Sequence, residues 1–377
     1  MRTRNYNDGV PGSLRREIGQ LLIGSLPGQT ITAELRSLAR EFSLGGVILF
    51  NRNIEAPEQV AELAHDVQQQ LSLGVPLWVS VDQEGGRVAR LKAPFTEWPP
   101  MAVLGRRGDE GLARRFAAAL AAELRAVGIT LDYAPVLDID TNPNNPVIGD
   151  RAFSDDAAMV ARLGAAIIDE LQRQGVAACG KHFPGHGDTS VDSHLELPLV
   201  EHPPDRIRRV ECVPFEAAIR ARVAFIMTAH VLVPSLDHER PATLSRRIVQ
   251  GMLREELGFE GVILSDDLEM KAIAATYSVP DAAVQAIAAG CDGLLICSGN
   301  VEVQAVTLEA LVHAVEDGRI PFKRLEDAQK RLRAAKERML AHAVLSTRSA
   351  GPSRALLQQV LGCDAHRRVA DDMARDV

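Results

Sequence analysis

The chain has 377 residues, 46% of them apolar and only 4% aromatic, with a formal net charge of −8. That composition supports a large core in one big domain or two ordinary ones, and its Ala, Val, Leu and Ile suit helices packed on a buried sheet. With no concentrated basic face, nucleic acid is excluded as an expected partner.

No stretch approaches the ~20 uncharged residues of a membrane span, and the N-terminus lacks the apolar core of a secretory signal. No membrane partner and a cytoplasmic location are therefore expected. The five scattered cysteines form no CxxC pair and read as free, buried thiols in a reducing compartment.

Short apolar runs recur along the chain at 20–26, 45–50, 76–81, 129–136, 176–182, 224–229, 261–264 and 293–297. They show little polar alternation, which is the pattern of strands buried on both faces. Residues 109–127, 156–174 and 301–316 carry apolar positions at three- and four-residue spacing and predict helices between them. Eight strands, each followed by a helix, predict an α/β fold of the (β/α)₈ barrel type; the alternative is an open doubly wound sheet.

Polar residues favour the barrel, because they follow one strand after another. Asp82 comes after the third run, Asp138 and Arg151 after the fourth, and Lys181 and His182 at the end of the fifth. His230 follows the sixth, Asp266 the seventh, and Ser298 and Asn300 the eighth. A barrel gathers them at one mouth, whereas an open sheet spreads them along an edge. The barrel domain is expected over 1–345. A basic helical stretch at 322–343 is either its last helix or a cap. The tail is expected over 346–377, a Ser/Gly/Pro hinge at 347–353 followed by a polar helical stretch at 354–375, and no chemistry is assigned to it.

Three segments carry chemistry. VDQEGGRVAR has a Gly pair that permits a sharp turn after a strand, but no GxGxxG fingerprint. At a barrel mouth, Asp82 accepts hydrogen bonds from a polar ligand. Arg87 and Arg90 are either surface charges or, for Arg87, a partner of Glu84. In VILSDDL, Asp266 either caps the following helix with Glu269 completing a capping box, or projects into the mouth as an ionised nucleophile, with Asp267 structural.

The third segment, GKHFPGHGDTSVDSH at 180–194, packs three histidines, two aspartates and a lysine onto a Gly/Pro-containing loop. Asp192 and His194 stand two apart and point the same way if the backbone is extended, so the carboxylate would orient the imidazole as a proton donor. His186 and Asp188 shape the loop, while Lys181 and His182 donate to ligand hydroxyls. A zinc-dependent hydrolase is the second reading. It is weakened by the absence of HExxH and by Pro184 and Gly185, which break the helix that the His182/His186 spacing would need.

Taken together, VDQEGGRVAR, APVLDID with IGDRAF, GKHFPGHGDTSVDSH, MTAHV and LGFEGVILSDDLEM resemble glycoside hydrolase family 3, and within it the compact bacterial β-N-acetylhexosaminidase branch of cell-wall recycling. The resemblance runs from about Ile18 to Ser298. It implies a single-domain barrel in which the histidine loop replaces an acid/base carboxylate that other members draw from a second domain. It further implies Asp266 as nucleophile, His194 as general acid/base and Asp192 as its partner. Asp82, Arg90, Arg151, Lys181 and His182 would bind N-acetylglucosamine. The expected partner is thus a small carbohydrate such as a muropeptide fragment, acted on without cofactor or metal by a chain expected to be monomeric. A non-catalytic sugar sensor would not require both a nucleophile and a proton donor.

Overall fold

The computed structural model describes residues 12–193, 195–340 and 353–375. Eight parallel strands close into one barrel: β1 (Leu22–Ser25), β2 (Gly46–Leu49), β3 (Trp78–Val81), β4 (Leu131–Asp132), β5 (Ala177–Phe183), β6 (Phe225–Thr228), β7 (Val262–Asp267) and β8 (Gly293–Ile296). Each pairs with its neighbours in sequence, and β8 closes on β1. The open-sheet alternative is thereby ruled out. β1, β2, β3, β6 and β8 are buried at every position, as their largely apolar character predicts. Inside the barrel, Trp78 and Phe225 meet edge to face with centroids 5.2 Å apart.

Helices follow the strands: α1 (Ala33–Phe42), α2 (Pro57–Asp66), α3 (Glu110–Ala126), α4 (Ala157–Arg173), α5 (Cys212–Arg220), the wider π-type α6 (Arg247–Glu256), α7 (Val279–Ala289) and α8 (Val301–Glu316). Their starts are written into the sequence. Thr32, Asp109, Asp156, Ser278 and Asn300 each accept a backbone N–H in the first turn of the helix they precede.

The stretch from 322 is α9 (Phe322–Leu340), a cap across the N-terminal end of the barrel rather than its eighth helix. Its Arg324 and Arg331 reach the buried Asp292, just before β8, at 2.5 and 3.2 Å, and Asp292 also accepts from Arg254 of α6 at 2.6 Å. Lys336 donates to Gln20, just before β1, at 2.8 Å.

The tail forms α10 (Arg354–Val360) and α11 (Asp364–Ala374), which lie against the barrel. Glu123 of α3 is their anchor. This buried carboxylate accepts from Thr96 N and Oγ1 at 2.9 and 2.6 Å, from Gly362 N at 2.9 Å and from His366 Nδ1 at 2.9 Å. All five cysteines are free thiols, four of them buried. No helix among the described residues is long and apolar enough to cross a membrane.

Candidate active site

The C-terminal ends of the strands surround a cavity of about 380 Å³, the position where barrel loops place their working groups. Asp82, Glu84, Arg90, Arg151, Lys181, His182 and Asp266 all line it.

Two of the strand ends there are irregular. Between the pairs Gly180↔Ile226 and Phe183↔Thr228, Lys181 and His182 oppose the single residue Met227. Between Gly293↔Leu264 and Leu295↔Asp267, Ser265 and Asp266 oppose Leu294. An extra residue in one strand re-aims the side chains beside it. Both bulges coincide with residues singled out as chemical.

One wall is an ion network. After β3 the chain turns back as a hairpin, Gln83–Gly85 pairing with Val88–Ala89, through Gly85 and Gly86 at φ 104° and 56°. This left-handed backbone is what the Gly pair is for. The buried Asp132 at the end of β4 pins the hairpin by accepting Gln83 N at 3.0 Å, and burial pushes its carboxyl well above the usual range.

The hairpin presents Glu84. Arg151 grips it with two bonds of 2.8 Å, and Lys181 Nζ lies 2.6 Å away. Lys181 also donates to Asp82 at 2.8 Å, and Arg90 stands 3.6 Å from the other Asp82 oxygen. Burial opposes ionisation of Glu84, but Arg151 and Lys181 hold its carboxyl far below the ordinary value. Burial also works against the Lys181 charge, and Asp82 and Glu84 more than reverse it, so the ammonium is held charged. The wall is therefore a fixed array of charged donors and acceptors, suited to ligand hydroxyls.

A second cluster is centred on Asp138. Its Oδ2 accepts from His182 Nδ1 at 2.6 Å, and its Oδ1 accepts from His186 N at 2.7 Å. Burial disfavours the Asp138 charge, but His182 and His186 hold its carboxyl below the usual range. With Nδ1–H committed to this carboxylate, His182 keeps Nε2 for a ligand. His186 has both ring nitrogens occupied, Nδ1 by Thr189 Oγ1 at 2.8 Å and Nε2 by Ser193 Oγ at 3.1 Å. Among the described residues no three His, Cys, Asp or Glu side chains form a group that could hold a metal ion.

The floor carries two adjacent acids that their surroundings push in opposite directions. Burial opposes the Asp266 charge, but His230 and His182 hold the carboxyl below its ordinary value, so it is an ionised carboxylate. Its Oδ1 accepts from Asp267 N at 2.8 Å. The turn-capping alternative falls on Asp267 instead, whose Oδ1 accepts from Glu269 N at 3.1 Å and Cys297 N at 3.3 Å. Burial pushes the Asp267 carboxyl up to about 7.

Two expectations need correction. Arg87 bonds Asp150 at 3.1 Å and not Glu84, which is taken up by Arg151 and Lys181. The Asp192 segment is not extended, because its carbonyl accepts from Leu195 N at 2.9 Å and Glu196 N at 3.0 Å, which makes a turn. His194 lies outside the described residues. Glu84 and Asp138 had no assigned role, and both organise the site. The available signal for each was an acid just past a strand end.

His186 gives a pH prediction. Burial depresses its imidazole to about 4. As the pH falls below the unfolded value of about 6.5, only the unfolded chain takes up this proton, so stability is full above that pH and declines down to about 4. Asp267, raised to about 7, has the opposite sign: it stabilises at low pH and fades as the pH rises toward 7. The His186 contribution is therefore isolated by difference. Between pH 7 and pH 5, His186→Gln is expected to lose about 2 kcal/mol less stability than the parent in urea unfolding. Equal losses would mean that His186 is not a buried neutral base.

Comparison with known proteins agrees with this architecture. Residues 13–335 match the Glycosyl hydrolase family 3 N terminal domain. The β-hexosaminidase of Nitrosomonas eutropha is 39% identical over 315 residues, 81% of this chain and 89% of that protein. Beta-hexosaminidase A of Pseudoalteromonas piscicida is 33% identical over 369 residues, and this chain spans 92% of its own length but only 60% of that protein.

Among solved structures, a family 3 β-N-acetylglucosaminidase from Paenibacillus sp. str. FPU-7 superposes with a TM-score of 0.90 at 42% identity, over 96% of this chain and 68% of that one. NagZ from Neisseria gonorrhoeae, in complex with N-trifluoroacetyl-D-glucosamine, gives 0.73 at 32% identity, over 94% and 97%. A closed barrel with an ionised acid and a wall of charged donors and acceptors at its mouth is the frame of a glycoside hydrolase. The chain belongs to glycoside hydrolase family 3.

Proposed function

We propose that this glycoside hydrolase is a retaining exo-β-N-acetylglucosaminidase, which releases terminal β-linked N-acetylglucosamine through a covalent glycosyl-aspartate. The observation that carries this reading is Asp266. It is an ionised carboxylate on a strand bulge, and it lines a sugar-sized cavity together with a fixed array of charged hydrogen-bonding groups. The β-hexosaminidases and β-N-acetylglucosaminidase among its relatives, and the N-acylated glucosamine held by the gonococcal protein, support the sugar identity.

In this mechanism Asp82, Arg90, Arg151, Lys181 and His182 bind the ring hydroxyls. Asp266 attacks the anomeric carbon while His194, oriented by Asp192, protonates the departing oxygen. His194 then takes a proton from water, which displaces the sugar from Asp266 with net retention. An imidazole changes role near neutral pH without strong desolvation, since its unperturbed value is about 6.5.

Muropeptide fragments in the cytoplasm are the proposed natural substrates, and the four buried free thiols accord with a reducing compartment. Residues 1–345 would form the catalytic unit, with 346–377 an accessory tail strapped down at Glu123.

A side-by-side rate comparison of aryl β-N-acetylglucosaminide, β-N-acetylgalactosaminide and β-glucoside tests the proposal. The first is expected to exceed the glucoside by at least about a hundredfold in kcat/KM, since a pocket built for a polar substituent rejects ligands that lack it. A preference for the glucoside would overturn the sugar assignment.

A further inference from the structure

The arm between Thr189 and Pro198 carries Asp192 and His194, and its two ends are firmly tied. Asn145 Nδ2 donates to the carbonyls of His186 and Gly187 at 2.8 and 3.0 Å. Thr141 donates to Asp188 at 3.1 Å, and His202 bonds the other Asp188 oxygen. Leu232 N donates to the Pro198 carbonyl at 2.8 Å. Gly187 fits because a β-carbon there would lie 1.7 Å from the Ile139 carbonyl oxygen, so the backbones touch.

Farther along the arm, Ser193 is buried and joins it to two separate elements. Its Oγ lies 3.1 Å from His186 Nε2. Its carbonyl accepts from Ala272 N at 3.2 Å, in the short helix Lys271–Ala274 that follows the Asp266 strand.

Both ring nitrogens of His186 are engaged: Thr189 Oγ1 lies 2.8 Å from Nδ1 and Ser193 Oγ lies 3.1 Å from Nε2. Each partner is a hydroxyl, able to donate or accept, so the ring bridges Thr189 and Ser193 in either tautomer. The backbone N–H of His186 in turn holds Asp138, which holds His182 in the sugar wall. One hydrogen-bonded chain thus runs from a cavity-lining imidazole to the residue preceding His194.

We propose that the Ser193–His186 hydrogen bond is a positioning latch, holding the arm in the register that proton transfer to the leaving group requires. Ser193 and His186 are positioning residues here, acting through the arm. The proposal rests on His194 being the general acid.

Its test uses kcat/KM, which reports the glycosylation step, on two N-acetylglucosaminides: a 2,4-dinitrophenyl glycoside, whose leaving group needs no proton, and a 4-methoxyphenyl glycoside, whose leaving group does. Ser193→Ala is expected to lose about tenfold on the second and under about twofold on the first, the size of one lost positioning hydrogen bond. His186→Gln is expected to show the same selectivity and serves as the readout should Ser193→Ala fail to fold.

His194→Ala, measured alongside, is expected to show a larger loss with the same leaving-group dependence. If it does and the Ser193 and His186 variants lose equally on both substrates, the latch is overturned while the acid assignment stands. If His194→Ala itself shows no leaving-group dependence, the acid assignment falls and the latch falls with it.

Discussion

Asp266→Asn is expected to lower kcat on an aryl N-acetylglucosaminide by about 10⁴-fold or more, with the circular dichroism spectrum and melting cooperativity retained. The substitution is nearly isosteric. The bond that Asp266 Oδ1 accepts from Asp267 N at 2.8 Å can be accepted equally by the Asn carbonyl. What disappears is the charge, which His230 and His182 stabilise against burial, and with it the ability to form a bond to carbon. Azide supplied to the truncated variant Asp266→Ala with an activated substrate is expected to restore turnover and yield the α-glycosyl azide, because a small anion then attacks from the face the carboxylate has vacated. Residual activity above a few per cent, or a β-azide product, would assign the nucleophile elsewhere.

The second large effect is structural and catalytic at once. Glu84→Gln removes the negative charge shared by Arg151 and Lys181, both held at hydrogen-bonding distance in a buried wall. Removing one partner from a buried ion network leaves uncompensated charge, and a loss of about 3–5 kcal/mol in unfolding free energy is expected. Because Lys181 keeps Asp82 at 2.8 Å, part of the wall survives. KM is expected to rise more than kcat falls, since the role proposed for the wall is to bind the ring, away from the breaking bond. Glu84 is held below its unfolded value of about 4.3, so its stabilisation is complete above that pH and is lost as the pH falls through the acid range; the variant lacks this component. A stability change under about 1 kcal/mol together with an unchanged KM would show that the network does not organise the site.

All eight strands were legible, because each is an apolar run without alternation, and a strand buried on both faces leaves that trace. Their ends were less so. The run at 129–136 contributes only Leu131–Asp132 to regular pairing, because Pro135 lacks an N–H and the chain continues with irregular bonds, such as Leu137 N to the Lys181 carbonyl at 2.6 Å.

In the site, Asp82, Arg151, Lys181, His182 and Asp266 could be picked out because polar residues stand where strands end. Their partners could not. Glu84 and Arg151 are 67 residues apart, and nothing local distinguishes this pairing from Glu84 with Arg87. The two bulges depend on how many residues the neighbouring strand supplies between paired positions, which no single strand encodes. The turn at Asp192 is set by backbone bonds to Leu195 and Glu196, which residue types alone do not announce. The elevated Asp267 carboxyl likewise results from burial created by the closed barrel.

Covalent capture on the Asp266 carboxylate is the most direct measurement. A 5-fluoro analogue of an N-acetylglucosaminyl donor keeps the 2-acetamido group and slows breakdown of any glycosyl-enzyme. Intact mass followed by peptide mapping is expected to show one fluorosugar per chain, on the peptide containing Asp266. A label on another residue, or turnover that leaves the protein unlabelled and releases an oxazoline formed by the acetamido oxygen, would contradict nucleophilic catalysis by Asp266.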